Sequence, residues 1–255
     1  LEIDPKYVFA LGVRAEAYRG LGRLEDAIRD ATSAIAISPN EAHALAGRAE
    51  SYRGLGRFDD AIRDATAALA IYPNYVFALA VRAESYRGLG RFDDAINDAT
   101  AILALDPKNV NALNTRASAY RMKGQLEFAV RDTTAVLDID PNNGFALSGR
   151  AESYRGLGRI DEAIRDATAA IRTSPNDWFP LAVRAESYRV IGRPNDVICD
   201  ATAAIALNPK STHALNARAD AYRQLGHLRE ANSDINAVLA IDPENDFARA
   251  IQAKI

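Results

Sequence analysis

An all-α protein built from repeated helix–turn–helix units is predicted by three observations on this sequence. Proline recurs every 34 residues, at Pro5, Pro39, Pro73, Pro107, Pro141, Pro175, Pro209 and Pro243. Tyrosine and glycine keep the same register, at Tyr18, Tyr52, Tyr86, Tyr120, Tyr154, Tyr188 and Tyr222 and at Gly22, Gly56, Gly90, Gly124, Gly158, Gly192 and Gly226. The segment Arg48 to Ile62 (RAESYRGLGRFDDAI) reappears unchanged at Arg82 to Ile96. A unit of this size cannot bury its apolar face alone, so a fixed period of this length marks units that stack on their neighbours. The chain therefore reads as one elongated domain of seven repeats, 8–41, 42–75, 76–109, 110–143, 144–177, 178–211 and 212–245. Residues 1–7 read as the tail of an earlier repeat, since LEIDP matches LALDP ending at Pro107, and 246–255 as a capping or truncated helix.

Each element follows from local pattern. In the second repeat, helix A is expected from about Ala42 to Gly54, with Leu45, Ala49 and Tyr52 spaced four and three apart on one face. A glycine turn follows. Helix B is expected from about Asp59 to Ala70, its acids Asp59 and Asp60 suited to a helix N-terminus and Pro73 closing it. Asp59/Arg63, Glu25/Arg29, Glu127/Arg131 and Asp161/Arg165 stand four apart in the favourable orientation and read as a solvated outer face.

Composition narrows the function. The 255 residues carry 31 basic and 34 acidic side chains, a net charge of -3, which gives no electrostatic basis for nucleic-acid or membrane-surface binding. Cys199 is the one cysteine, so a disulfide framework within the chain is excluded, and its outward helix-B position reads as an incidental thiol. His43, His213 and His227 fall in different repeats, too dispersed to share a metal. The RGLGR segments lack phosphate-loop spacing and sit between helices. No catalytic constellation, cofactor site or metal site is expected, so the protein reads as a non-enzyme. No signal or membrane-spanning stretch is evident, in keeping with a cytoplasmic location.

The period, the helix-A alanine (Ala15, Ala49, Ala83, Ala117, Ala151, Ala185, Ala219), the tyrosine three residues on, the helix-B alanine (Ala27, Ala61, Ala95, Ala129, Ala163, Ala231, with Val197 in the sixth repeat) and the closing proline resemble the tetratricopeptide repeat. That resemblance implies a right-handed superhelical solenoid whose A helices line a concave groove, used as a docking scaffold for peptides or proteins. The chain departs from the family pattern in carrying arginine where leucine is usual (Arg14, Arg48, Arg82, Arg116, Arg150, Arg184, Arg218) and aspartate where an aromatic is usual (Asp30, Asp64, Asp98, Asp132, Asp166, Asp200, Asp234). At about 100° per residue the arginines face helix B, and pairing of Arg82 with Asp98, Arg116 with Asp132 and Arg150 with Asp166 is expected. The family's chaperone-binding carboxylate clamp is not matched, because Gly12, Ala46 and Ala80 replace its lysines and Glu16 its asparagine.

A second arginine series, Arg19, Arg53, Arg87, Arg121, Arg155, Arg189 and Arg223, points to the groove. An acid stands three residues before each, except that Ser118 takes this place before Arg121. Two readings stay open: a ladder of intrahelical pairs, or donors to an acidic partner. The fourth repeat also carries Asn111 and Asn114, which with Ser118 form a polar stripe able to bind an extended backbone. Phe77, Phe145 and Phe179 are expected beside it as aromatic anchors, with Arg121 and Arg155 as charged ones. The expected function is a scaffold holding a protein or extended, acidic peptide in the groove; the alternative is a homo-oligomeric array stacked through its repeat ends.

Overall fold

The structure, a computed structural model, describes residues 7–254. The helix-B tail expected at Leu1 to Pro5 lies outside the described residues, as does Ile255. Among those described are fifteen helices and no strand: α1 Val8–Gly20, α2 Leu24–Ile37, α3 Ala42–Gly54, α4 Phe58–Ile71, α5 Val76–Gly88, α6 Phe92–Leu105, α7 Val110–Met122, α8 Leu126–Ile139, α9 Gly144–Gly156, α10 Ile160–Thr173, α11 Trp178–Val190, α12 Pro194–Leu207, α13 Thr212–Gln224, α14 Leu228–Ile241 and α15 Asp246–Gln252. The protein is an all-α helical repeat. Its chain forms two compact units, 1–125 with α1 to α7 and 126–255 with α8 to α15.

In each unit successive helices pack in pairs, and each A helix also touches the next A helix: α1 meets α3, α3 meets α5 and α5 meets α7 in the first, and α9 meets α11, α11 meets α13 and α13 meets α15 in the second. The core between them is made largely of alanine, with Ala61, Ala95, Ala163 and Ala231 fully buried. Small side chains let the helix backbones approach closely. The turn inside each pair depends on one backbone state. Gly90 takes φ +73°, a left-handed conformation open to glycine, which lets Arg91 N donate to Tyr86 O at 2.8 Å and Gly90 N to Arg87 O at 3.0 Å. The same closure recurs after every complete helix A, and satisfies carbonyls that the helix end leaves open.

The two unusual charged positions explain each other. Arg82 grips Asp98 with two bonds of 2.8 Å, Arg150 grips Asp166 at 2.6 and 3.0 Å, and Arg48, Arg184 and Arg218 hold Asp64, Asp200 and Asp234 in the same bidentate manner. The hydrogen bonds to Asp98 hold the Arg82 guanidinium above its ordinary pKa. Arg116 and Asp132 fall in different units; within the first, Arg116 donates to Thr100 Oγ1 at 3.1 Å. That bond belongs to a second series, in which Arg48, Arg82, Arg150, Arg184 and Arg218 each reach a threonine of the preceding repeat, as Arg82 reaches Thr66 at 3.1 Å. One side chain thus ties its own helix pair together and tethers it to its neighbour.

The recurrent tyrosine is a platform for guanidinium groups: Arg82 lies 5.9 Å and Arg91 4.4 Å from the Tyr86 ring centre. The outer face corrects one expectation. Arg29 and Arg63 pair with Asp26 and Asp60, three residues before them at 2.9 Å, and not with Glu25 and Asp59. The reason is a second arginine, since Arg23 and Arg57 in the turn bind the same carboxylates at 2.6 Å and turn them toward the helix surface. Those hydrogen bonds hold both aspartates below their ordinary range. Arg131, expected against Glu127, lies 5.4 Å from the Phe128 ring centre.

Candidate docking face

The side chains expected to contact a ligand project from the A helices, so each unit has its own candidate face. In the first unit, the acid and arginine of the ladder are joined within their helices: Arg53 to Glu50 at 2.6 and 2.7 Å, and Arg87 to Glu84 at 2.7 Å. Glu84 has a further partner from the next A helix, α7, because the Thr115 hydroxyl lies 2.7 Å from its carboxylate. The same hydroxyl is 2.8 Å from the Asn111 carbonyl, and its single proton favours the charged acceptor. Burial alone raises the Glu84 pKa, but the bonds from Arg87 and Thr115 and the charges of Arg87 and Arg53 outweigh it, and the net shift is downward. A carboxylate lowered in this way contributes stability that is fully present above its unfolded pKa and lost as pH falls through the folded value. Thr115→Val removes the hydroxyl donor and should move the Glu84 pKa up, by an amount readable in a carbon-detected NMR titration of the glutamate side chains. An unchanged titration would show that Thr115 donates to the Asn111 carbonyl instead.

In the fourth repeat, Asn111 is exposed, Ser118 is buried, and Arg121 is half-buried and engaged by other groups. The Asn114 side-chain oxygen is buried and finds no donor, as does that of Asn216 at the equivalent place in the second unit. A buried acceptor left open costs about 1–3 kcal/mol, so each amide gains from any donor brought to it. The aromatic anchors divide. Phe145 is 61% exposed, whereas Phe77 is half-buried against Ala49, Ala65 and Val81, and Phe179 against Ala151, Ala167 and Val183. Phe77 and Phe179 therefore pack between adjacent A helices and present only part of their rings. In the second unit, Arg155 binds Glu152 at 2.8 and 3.0 Å and Arg189 binds Glu186 at 2.9 Å, continuing the intrahelical pairing.

One concavity lies away from the expected polar stripe. In the first unit a cavity of about 780 Å³ opens on α1, α3 and the start of α5. Helix α1 supplies Val8, Phe9, Gly12, Val13, Glu16 and Arg19, and the facing wall comes from Glu41, His43, Gly47, Tyr75 and Phe77. Of the aromatic anchors and polar stripe expected around the fourth repeat, Phe77 alone lines it, together with Arg19 of the groove-facing arginine series. Its size is in the range of small-ligand and side-chain pockets. Tyr75 and His43 stand 5.3 Å apart, Tyr75 and Phe77 6.1 Å, and burial pushes the Tyr75 phenol pKa up. The sequence held a signal for this wall: Phe9, His43 and Phe77 are spaced by the 34-residue period, which puts one ring at the same place in three successive A helices. No group of three or more metal-ligating side chains occurs among the described residues, and Cys199 is a free, exposed thiol.

Helical pairs with this period, closed by a left-handed glycine and a terminal proline, define a helical repeat protein of the scaffold class. Family models described as tetratricopeptide repeat match residues 13–76, 81–144 and 212–245. The chain belongs to the tetratricopeptide repeat family, whose fold is in general a scaffold for protein–protein interaction. No curated protein matches it in sequence. Solved structures similar to it include a tetratricopeptide repeat protein from Parabacteroides merdae (20% identity, 96% of this chain and 97% of that one, TM-score 0.75). A second is the APC/C hetero-tetramer Cut9–Hcn1 (16% identity, 100% of this chain and 50% of that one, TM-score 0.83). A third is YrrB, a TPR protein with an unusual peptide-binding site (16% identity, 74% of this chain and 97% of that one, TM-score 0.59). At these identities the likeness concerns the fold. No helix among the described residues is long and apolar enough to cross a membrane.

Proposed function

We propose that this protein is a non-catalytic scaffold that docks an extended segment of a partner protein on the exposed face of its A helices. The observation that carries this reading is the cavity on α1, α3 and α5, a concave surface walled by Phe9, His43, Tyr75 and Phe77. The stripe of Asn111, Asn114, Ser118 and Arg121 supplies polar groups in the first unit, and Phe145, Arg155 and Phe179 form the corresponding candidate surface of the second. An acidic partner is not what the arginine ladder favours, since Arg53, Arg87 and Arg155 are already committed to Glu50, Glu84 and Glu152.

Panning a displayed random-peptide library on the full chain tests the reading. Selected peptides should lose at least tenfold in affinity for variants carrying Phe77→Ala with Asn114→Ala, or Phe145→Ala with Arg155→Glu. They should bind a helix-B surface variant, Arg63→Glu, as tightly as the original. Loss confined to Arg63→Glu would move the docking face to the B helices and overturn the proposal.

A further inference from the structure

Resting on that docking reading, we infer that the cavity in the first unit takes a basic side chain, lysine or arginine, from the partner segment. The acids of the ladder are not equivalent. Glu50, Glu84, Glu152 and Glu186 lie 2.6–2.9 Å from the arginine three residues on, and their side chains are 11–29% exposed. Glu16, which lines the cavity, is 75% exposed, and its arginine, Arg19, stands 3.8 Å away. Arg19 has turned elsewhere, with its guanidinium carbon 5.6 Å from the centre of the Phe77 ring.

Gly47 eases that approach: a Cβ at this position would lie 3.2 Å from Arg19 Nη1, a contact tighter than ordinary packing. The equivalent positions of the next two repeats hold Val81 and Thr115. Glu16 is thus the most exposed and most loosely paired of the ladder's glutamates. Glu41, at the start of α3, adds a second carboxylate to the cavity, 3.3 Å from His43 Nδ1. Two acids, Glu16 and Glu41, against one guanidinium, Arg19, beside aromatic and apolar walls match the needs of a further ammonium or guanidinium on an apolar stem. A carboxylate-bearing ligand would meet two carboxylates, Glu16 and Glu41, against the single guanidinium of Arg19.

A positional-scanning library of nine-residue peptides, acetylated and amidated to remove terminal charges, tests this on the full chain. At one position lysine or arginine should exceed norleucine and glutamate by at least fivefold in bound peptide, and this excess should shrink as salt is raised. Glu16→Gln should reduce the excess at least threefold. So should Gly47→Val, which leaves every acid in place and pushes Arg19 back toward Glu16; circular dichroism would confirm that both variants keep their helices. Selection of apolar or acidic peptides, or a basic preference that survives both substitutions, would overturn the assignment while leaving the docking reading intact. Selection of no peptide at all would overturn both.

Discussion

Asp98→Ala should destabilise the first unit by about 3 kcal/mol, whereas Arg82→Leu combined with Asp98→Leu should stay within about 1 kcal/mol of the original. The asymmetry comes from desolvation. Arg82 is largely buried and satisfied by two bonds of 2.8 Å to a carboxylate that is itself buried. Removing the acid leaves a guanidinium that keeps its bond to Thr66 and its place near Tyr86 but has lost its counter-charge. Removing both charges leaves two leucines in a helix interface that is apolar already. Equal losses in the single and double variants would mean that the pair itself stabilises the fold, and that desolvation does not set the cost. Because repeats interact chiefly with their neighbours, the loss should be read by hydrogen exchange across α4 to α7 as well as by thermal unfolding.

How much of this was legible in the sequence depends on the range of the interaction. Helix A of the second repeat is legible to its ends, because Pro39 and Gly56 punctuate the chain on either side of it. The facing of Arg82 and Asp98 followed from helical geometry, since both residues recur at constant places. The tie from Arg82 to Thr66 was not legible: it links residues of different repeats, and no local pattern distinguishes a threonine that receives a guanidinium from one that faces water. The choice of Asp60 over Asp59 by Arg63 was hidden for a similar reason, as it is settled by Arg57 across the turn. Glu16 and Glu50 sit in nearly identical local sequences, RAEAYR and RAESYR, yet the first lies 3.8 Å from its arginine and the second 2.6 Å. The residue beside Arg19 belongs to the next A helix, Gly47 of α3, which no local pattern around Glu16 reveals. For Phe77 the sequence marks an aromatic at a periodic place, and only the packing against Ala49, Ala65 and Val81 shows how far the ring is buried.

Ile235→Ala should cost about 3 kcal/mol and loosen α14 and α15 while sparing the helices of earlier repeats. Most repeats have alanine at this place in helix B, as at Ala31, Ala65, Ala99, Ala167 and Ala201; the fourth has Thr133 and the seventh Ile235. The larger side chain suits what faces it. In the fifth repeat Ala167 lies under Val183 and Phe179 of a full-length helix A. In the seventh, Ile235 packs with Leu215, Ala219, Val238, Ala248 and Ile251, the last two from α15, which has seven residues. Ile251 takes the place that Val183 holds two repeats earlier, and isoleucine fills the layer beneath it with no exposure of its own. Truncation to alanine opens a cavity that α15 can close only by sliding inward, against the cap in which Asn245 accepts from Ala248 N at 3.0 Å. The reciprocal substitution, Ala167→Ile, should be harmful for the opposite reason, forcing extra methyl groups into a filled site at about 1–3 kcal/mol. Hydrogen exchange decides the matter: accelerated exchange across residues 228–252 in Ile235→Ala is expected, and uniform acceleration through the second unit would show that its repeats unfold as one.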